Sequence, residues 1–140
     1  MDMESSKITV SVTINAPISK VWEYYKSPEH NIIWNTGHPS WHTPHAEIDL
    51  REGGKFLFRM EARDGSAGFD FIGTYTKVVE HELIHFVMED GREAEVIFRQ
   101  DSDQVMLTEV FDPENMNSRE IQQSGWQGIL DNFKNYVENN

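Results

Sequence analysis

Histidines gather near the start of the chain: His30, then His38, His42 and His45 at i, i+4 and i+7. Imidazole nitrogens at close quarters could hold zinc or nickel. Pro39 and Pro44 lie among them, so no helix can present the three on one face, and no acidic residue occurs between Asn31 and Ala46 to complete a ligand set. A solvated loop is therefore the reading taken for TGHPSWHTPH, with no metal or cofactor expected and His38, His42 and His45 as the alternative metal ligands. Glu109 raises a different chemistry. In VMLTEVF it alternates with Val105, Leu107 and Phe111. If that face points inward, the carboxyl is desolvated, its pKa rises and it becomes a general-acid candidate. The opposite orientation buries Met106, Thr108 and Val110 and leaves Glu109 in water, and this is the orientation adopted. No catalytic residue is assigned, and Glu109 is held as the one candidate.

Asp70 alternates with Phe69 and Phe71 and faces solvent if the phenylalanine face is core. His85 shares a face with Leu83 and Val87 and reads as a structural histidine. No serine sits in a nucleophile elbow, and Gly53-Gly54 reads as a turn without the strand, glycine-rich loop and helix that hold phosphate. The chain has no cysteine, which excludes disulfides, thiolate nucleophiles and cysteine-bound metals and points to a reducing cytoplasm.

The elements that must carry these residues follow from composition and periodicity. A length of 140 residues, 38% hydrophobic and 26% charged, with eight Phe, four Trp and four Tyr, predicts one globular domain over 1–140. The net charge of −12 repels phosphate backbones, and the few Lys and Arg are scattered, so nucleic acid is not an expected partner. MDMESSKITV lacks the basic start and apolar run of a secretory signal, and no stretch reaches the ~18 apolar residues of a membrane span.

Ile8, Val10, Val12 and Ile14 alternate with polar residues, which predicts a half-buried strand. Pro17 then opens an amphipathic helix through Val21, Trp22 and Tyr25, and Pro28 opens a second short one. Six strand-like runs follow, AEIDLRE, KFLFRMEA, GFDFIGTYTKVVE, LIHFVME, EAEVIFRQ and QVMLTEVF, divided by short turns that favour antiparallel hairpins. From about Asn117 to Glu138 an apolar stripe of Trp126, Ile129, Leu130, Phe133 and Val137 predicts a helix of roughly 30 Å, with Asn117 and Glu120 as its capping pair. Arg119, Gln123, Gln127, Asp131 and Lys134 fall away from the stripe.

A seven-stranded antiparallel sheet must bury one face, and the last helix is the large apolar element able to cover it. Gly125 and Gly128 each cost this helix about 1 kcal/mol relative to Ala. Close packing on a neighbouring element is the preferred explanation, and room left beside Trp126 is the other.

VTINAPISKVWEYY, GGKFLFRM, GTYTKVVEHELIHF, TEVFDPE and above all QQSGWQGILDNFKNYVE together resemble the START-like helix-grip superfamily, also called SRPBCC. Within it the resemblance is to the branch named after the activator of the heat-shock-protein-ninety ATPase. It implies an α+β helix-grip fold, with a curved sheet wrapped around the C-terminal helix and two short helices after the first strand. It also implies a cavity, since members bind lipids, sterols, flavonoid-like and polyketide-like aromatics, some cyclise or hydrate them, and the eponymous branch stimulates a chaperone ATPase. At 140 residues the chain has no room for the additional domain of the co-chaperones, so fold and cavity are what the resemblance carries furthest. A small hydrophobic molecule is the expected partner, held by Trp34, Trp41, Phe58, Phe71, Tyr75, Trp126 and Leu130. Trp34 and Trp126 lead this set because the resemblance puts them beside the cavity. A cyclase or hydratase activity and a chaperone partner are the alternatives.

Overall fold

The computed structural model describes residues 7–140. Residues 1–6, on which the reading of no secretory signal partly rests, lie outside the described residues. The first strand, β1 (Ile8–Ile14), leads into helices α1 (Ile18–Lys26) and α2 (Pro28–Trp34). Strands β2 (Trp41–Ile48), β3 (Lys55–Ala62), β4 (Gly68–Val79), β5 (Leu83–Met88), β6 (Glu93–Asp101) and β7 (Gln104–Phe111) follow as a meander, and helix α3 (Arg119–Asn139) closes the chain. All seven strands form one antiparallel sheet in the order β1-β7-β6-β5-β4-β3-β2, so β1 returns to pair with β7 and the α+β helix-grip architecture is complete. Among the described residues, no helix is long and apolar enough to cross a membrane.

The alternation of the sequence becomes the two faces of the sheet. Ile8, Val10 and Ile14 of β1, Ile84, Phe86 and Met88 of β5, Ala94, Val96 and Phe98 of β6, and Val105, Leu107 and Phe111 of β7 are all buried. This inner face meets Leu130, Phe133 and Val137 of α3 in one core with Val21, Trp22 and Trp34 from the short helices. Three of the residues set away from the α3 stripe have a definite role. Gln123 and Gln127 donate to the carbonyls of Thr9 and Ser11, at 3.4 and 2.9 Å, and Lys134 donates to that of Thr13 at 2.7 Å. The long polar side chains of α3 thus cover the free backbone edge of β1, which would otherwise invite another strand.

Two sequence expectations are corrected. The segment read as a loop up to His45 is already strand from Trp41: Pro44 is accommodated because β2 is the outer strand and a bulge interrupts its register between His42 and His45. The cap of α3 is Ser118, whose hydroxyl accepts from the Ile121 amide at 3.2 Å. Asn117 instead lies one residue outside, bound through its amide and side chain to the Glu114 carboxylate.

Candidate functional site

Helix α3 does not fill the concave face of the sheet. Between them lies a cavity of about 970 Å³, bounded by α1, α2 and the turn after α2 on one side and by the segment leading into α3 on the other. Phe56 and Phe58 of β3, Phe71 and Tyr75 of β4 and Ile84 and Phe86 of β5 supply its sheet wall, and Trp126, Ile129 and Leu130 its helix wall. The rings brace one another: Phe56 and Phe86 meet edge to face at 5.0 Å, Trp34 leans on Phe133 at 4.6 Å, and Trp126 stacks on Phe111 at 3.7 Å between centroids.

The two glycines of α3 divide the explanations offered for them. A Cβ on Gly128 would stand 2.6 Å from the Gly37 carbonyl oxygen, so this glycine permits a close backbone approach. A Cβ on Gly125, one turn earlier, would meet nothing within 4 Å, and Gly125 lines the cavity. Packing explains one and open space the other.

Glu109 is a buried carboxyl of this wall. The structure overturns the orientation adopted from sequence: Val105, Leu107, Glu109 and Phe111 face inward, while Met106 is 44% exposed. Val10 on β1 and Val96 on β6 flank it in a strand paired on both sides, and only 6% of the residue remains accessible. Tyr25 of α1 donates its hydroxyl to Oε2 at 3.4 Å, and no other hydrogen bond to Glu109 is made by the described residues. Burial pushes the carboxyl up to about 7, against a smaller lowering by Tyr25. Burial, with the nearby Glu109 and Tyr75, also drives the Tyr25 hydroxyl well above its ordinary range. At neutral pH this acid is poised between its two forms, as a proton donor or acceptor must be.

Trp34, Trp41, Phe58, Phe71, Tyr75, Trp126 and Leu130 all border the same cavity, Trp41 near its mouth beside Phe69. The histidines do not converge. His38 pairs with the Ser40 hydroxyl at 2.8 Å, His45 with Glu47 at 2.7 Å, and His30 stacks on Tyr24 and meets the Tyr136 hydroxyl at 2.7 Å. Among the described residues, no group of three or more His, Cys, Asp or Glu side chains could hold a metal ion. Asp70 is exposed beside Arg59 at 3.4 Å, and His85 pairs with Glu93 at 3.1 Å on the outer face.

Sequence reasoning missed Tyr25, which it counted as a stripe residue of a short helix; its position opposite Glu109 is a contact across 84 residues that no local pattern encodes. It also missed the buried pair Asn31 and Asn35, linked at 3.2 Å, which brings polar groups to the cavity beside Trp34. The i, i+4 spacing of an asparagine within α2 and one at its C-cap was a legible signal for that pair.

A family model described as "Activator of Hsp90 ATPase homolog 1-like protein" matches residues 15–138. The solution structure of an AHSA1-like protein from Aeromonas hydrophila is 44% identical over 95% of this chain and 92% of that chain, with a TM-score of 0.88. A solution structure from Cytophaga hutchinsonii is 48% identical over 96% of this chain and 93% of its own, with a TM-score of 0.84. A crystal structure from Nitrosomonas europaea shares the fold at 16% identity, covering 99% of this chain and 97% of its own with a TM-score of 0.82. No curated protein matches the chain.

Proposed function

The chain belongs to the family of Activator of Hsp90 ATPase homolog 1-like proteins, and from that membership we propose that it is a cytoplasmic small-molecule-binding protein. Its ligand is hydrophobic, lipid-like or aromatic, and is held between the sheet and α3. The observation that carries this reading is the cavity of about 970 Å³, walled by aromatic side chains and kept open at Gly125. That volume is in the range of sites that enclose a drug-sized molecule. Ring faces of Phe58, Phe71, Trp126 and Trp34 would take up a flat or chain-like apolar ligand by stacking and exclusion of water.

A thermal-shift screen of lipid and flavonoid-like libraries tests it. A true ligand at ~100 times its dissociation constant stabilises the fold by about 2.7 kcal/mol. Absence of any shift, together with an interior filled by side chains in an experimental structure, would overturn the reading.

One observation favours a second reading, acid catalysis of the cyclase or hydratase type: the Glu109 carboxyl, raised to about 7, stands within the cavity with Tyr25 beside it. A bound polyketide-like substrate would then receive a proton from Glu109, and Glu109→Gln would abolish turnover while the affinity for a neutral apolar ligand survived. The family description also names a chaperone ATPase. Addition of the purified chain to such an ATPase separates that role, which predicts a change of its rate, from ligand binding, which predicts none.

A further inference from the structure

Among the described residues, the wall of the cavity holds a buried carboxyl, Glu109, whose one hydrogen-bond partner is the neutral Tyr25 hydroxyl. Glu109 Oε2 accepts the Tyr25 hydroxyl at a long 3.4 Å, and Oε1, which has no hydrogen-bond partner among the described residues, keeps accessible surface in a residue that lines the cavity and is otherwise only 6% exposed. Tyr25 on α1, beside it, and Tyr75 on β4, in the same cavity wall, are neutral phenols held in their protonated form by burial. The cations bordering the cavity are engaged elsewhere: Lys26 is exposed and lies 3.6 Å from Glu23, and Arg92 is bound to Asp90 at 2.8 Å. A buried carboxyl is stabilised by a partner that donates hydrogen bonds and, better, brings the opposite charge.

We infer that the molecule held in this cavity carries a basic amine whose ammonium group stands against Glu109; the inference rests on the cavity being a binding site. The ammonium donates to the free Oε1 and cancels the carboxylate charge. A ligand ending in a carboxylate would instead bring a second anion to a site whose bordering cations, Lys26 and Arg92, already pair with Glu23 and Asp90. The net charge of −12 adds a field that draws cationic amphiphiles toward the protein and repels anionic ones.

Three probes with one ring system separate the possibilities: naphthylethylamine, naphthylethanol and naphthylacetic acid, titrated calorimetrically into the full chain at about pH 8, where Glu109 is ionised. The amine is expected to bind about tenfold or more tightly than the alcohol, and the acid to be the weakest. In Glu109→Gln the amine and the alcohol should come within about threefold of each other. Binding of the alcohol with no advantage for the amine, or an advantage that persists in Glu109→Gln, overturns the amine inference and leaves the cavity reading standing. Failure of all three to bind removes the cavity reading and the inference with it. If the variant does not fold, the carbon chemical shift of the Glu109 carboxyl in the unsubstituted protein, followed at about pH 6 where the acid is mostly protonated, decides: it should move to the ionised value on addition of the amine and not the alcohol, and equal responses to both would count against the inference.

Discussion

Gly37, in the turn after α2, and Gly128, in α3, meet backbone to backbone: a Cβ on Gly128 would lie 2.6 Å from the Gly37 carbonyl oxygen and 3.2 Å from its Cα. Gly37 lies against the Gly125 carbonyl as well, so the turn is drawn onto the helix along this stretch, but the Cβ position of Gly125 itself points into open space. The two glycines therefore respond in opposite ways to the same substitution. Gly128→Ala forces the helix and the turn apart and is expected to cost about 1–3 kcal/mol. Gly125→Ala gains helix propensity of up to about 1 kcal/mol and narrows the cavity by one methyl group. Urea denaturation of both variants checks the signs, and equal destabilisation would contradict the division.

Glu109 imposes a pH dependence whose sign follows from its burial. The folded state holds the proton up to about pH 7, whereas the unfolded chain releases it near its ordinary value of 4.5. Between these values the folded state binds more protons, so stability contributed by this group falls as pH rises through that window and is flat beyond it. Glu109→Gln removes the slope. The variant should be more stable than the parent by about 3 kcal/mol near pH 8 and should lose that advantage near pH 4. Thermal unfolding followed across that range tests it, and an advantage independent of pH would point to packing as its origin.

The contrast between Glu109 and Gly128 shows where sequence reading succeeds and where it stops. Strand existence was legible, because Ile8 to Ile14 and Leu83 to Met88 alternate and the turns between strands are short. The orientation of β7 was not, because Met106 and Val110 are as apolar as Val105 and Leu107, so alternation marks both faces alike. The start of β2 was hidden by Pro44, which an outer strand with a bulge tolerates. The cavity-lining aromatics were named from a resemblance and from ring type. The Tyr25 hydroxyl above Glu109 and the Gly37 to Gly128 contact join distant segments, which periodicity does not report.

The start of α3 offers a local test of backbone capping. Ser118 caps the helix through its hydroxyl, whereas the Asn117 side chain makes one exposed bond to Glu114 at 2.7 Å. Ser118→Ala is expected to cost about 1 kcal/mol, and Asn117→Ala less than half of that. Chemical denaturation of the pair reads the difference directly, and the reverse order would place the cap at Asn117.

Gln122 ties the segment before α3 to the cavity. It is 7% exposed, accepts from the Glu114 amide at 2.9 Å, and donates to the carbonyls of Glu114 and Asn117 at 3.0 and 2.9 Å. Three backbone groups of an irregular segment are satisfied by one side chain, which fixes that segment as an end wall of the cavity. Gln122→Leu keeps the bulk and removes every one of these bonds, so the segment should loosen while the sheet stays intact. The expected cost is about 1–3 kcal/mol, the cost of leaving buried polar groups unpaired. Amide hydrogen exchange should quicken at Glu114 and remain unchanged at Val96 and Leu107, whose strands are paired on both sides within the sheet. A ligand in the cavity should also leave faster, because an end wall that opens more often shortens residence without altering the ring contacts. Protection at Glu114 that survived the substitution would show that the wall is held by something other than Gln122.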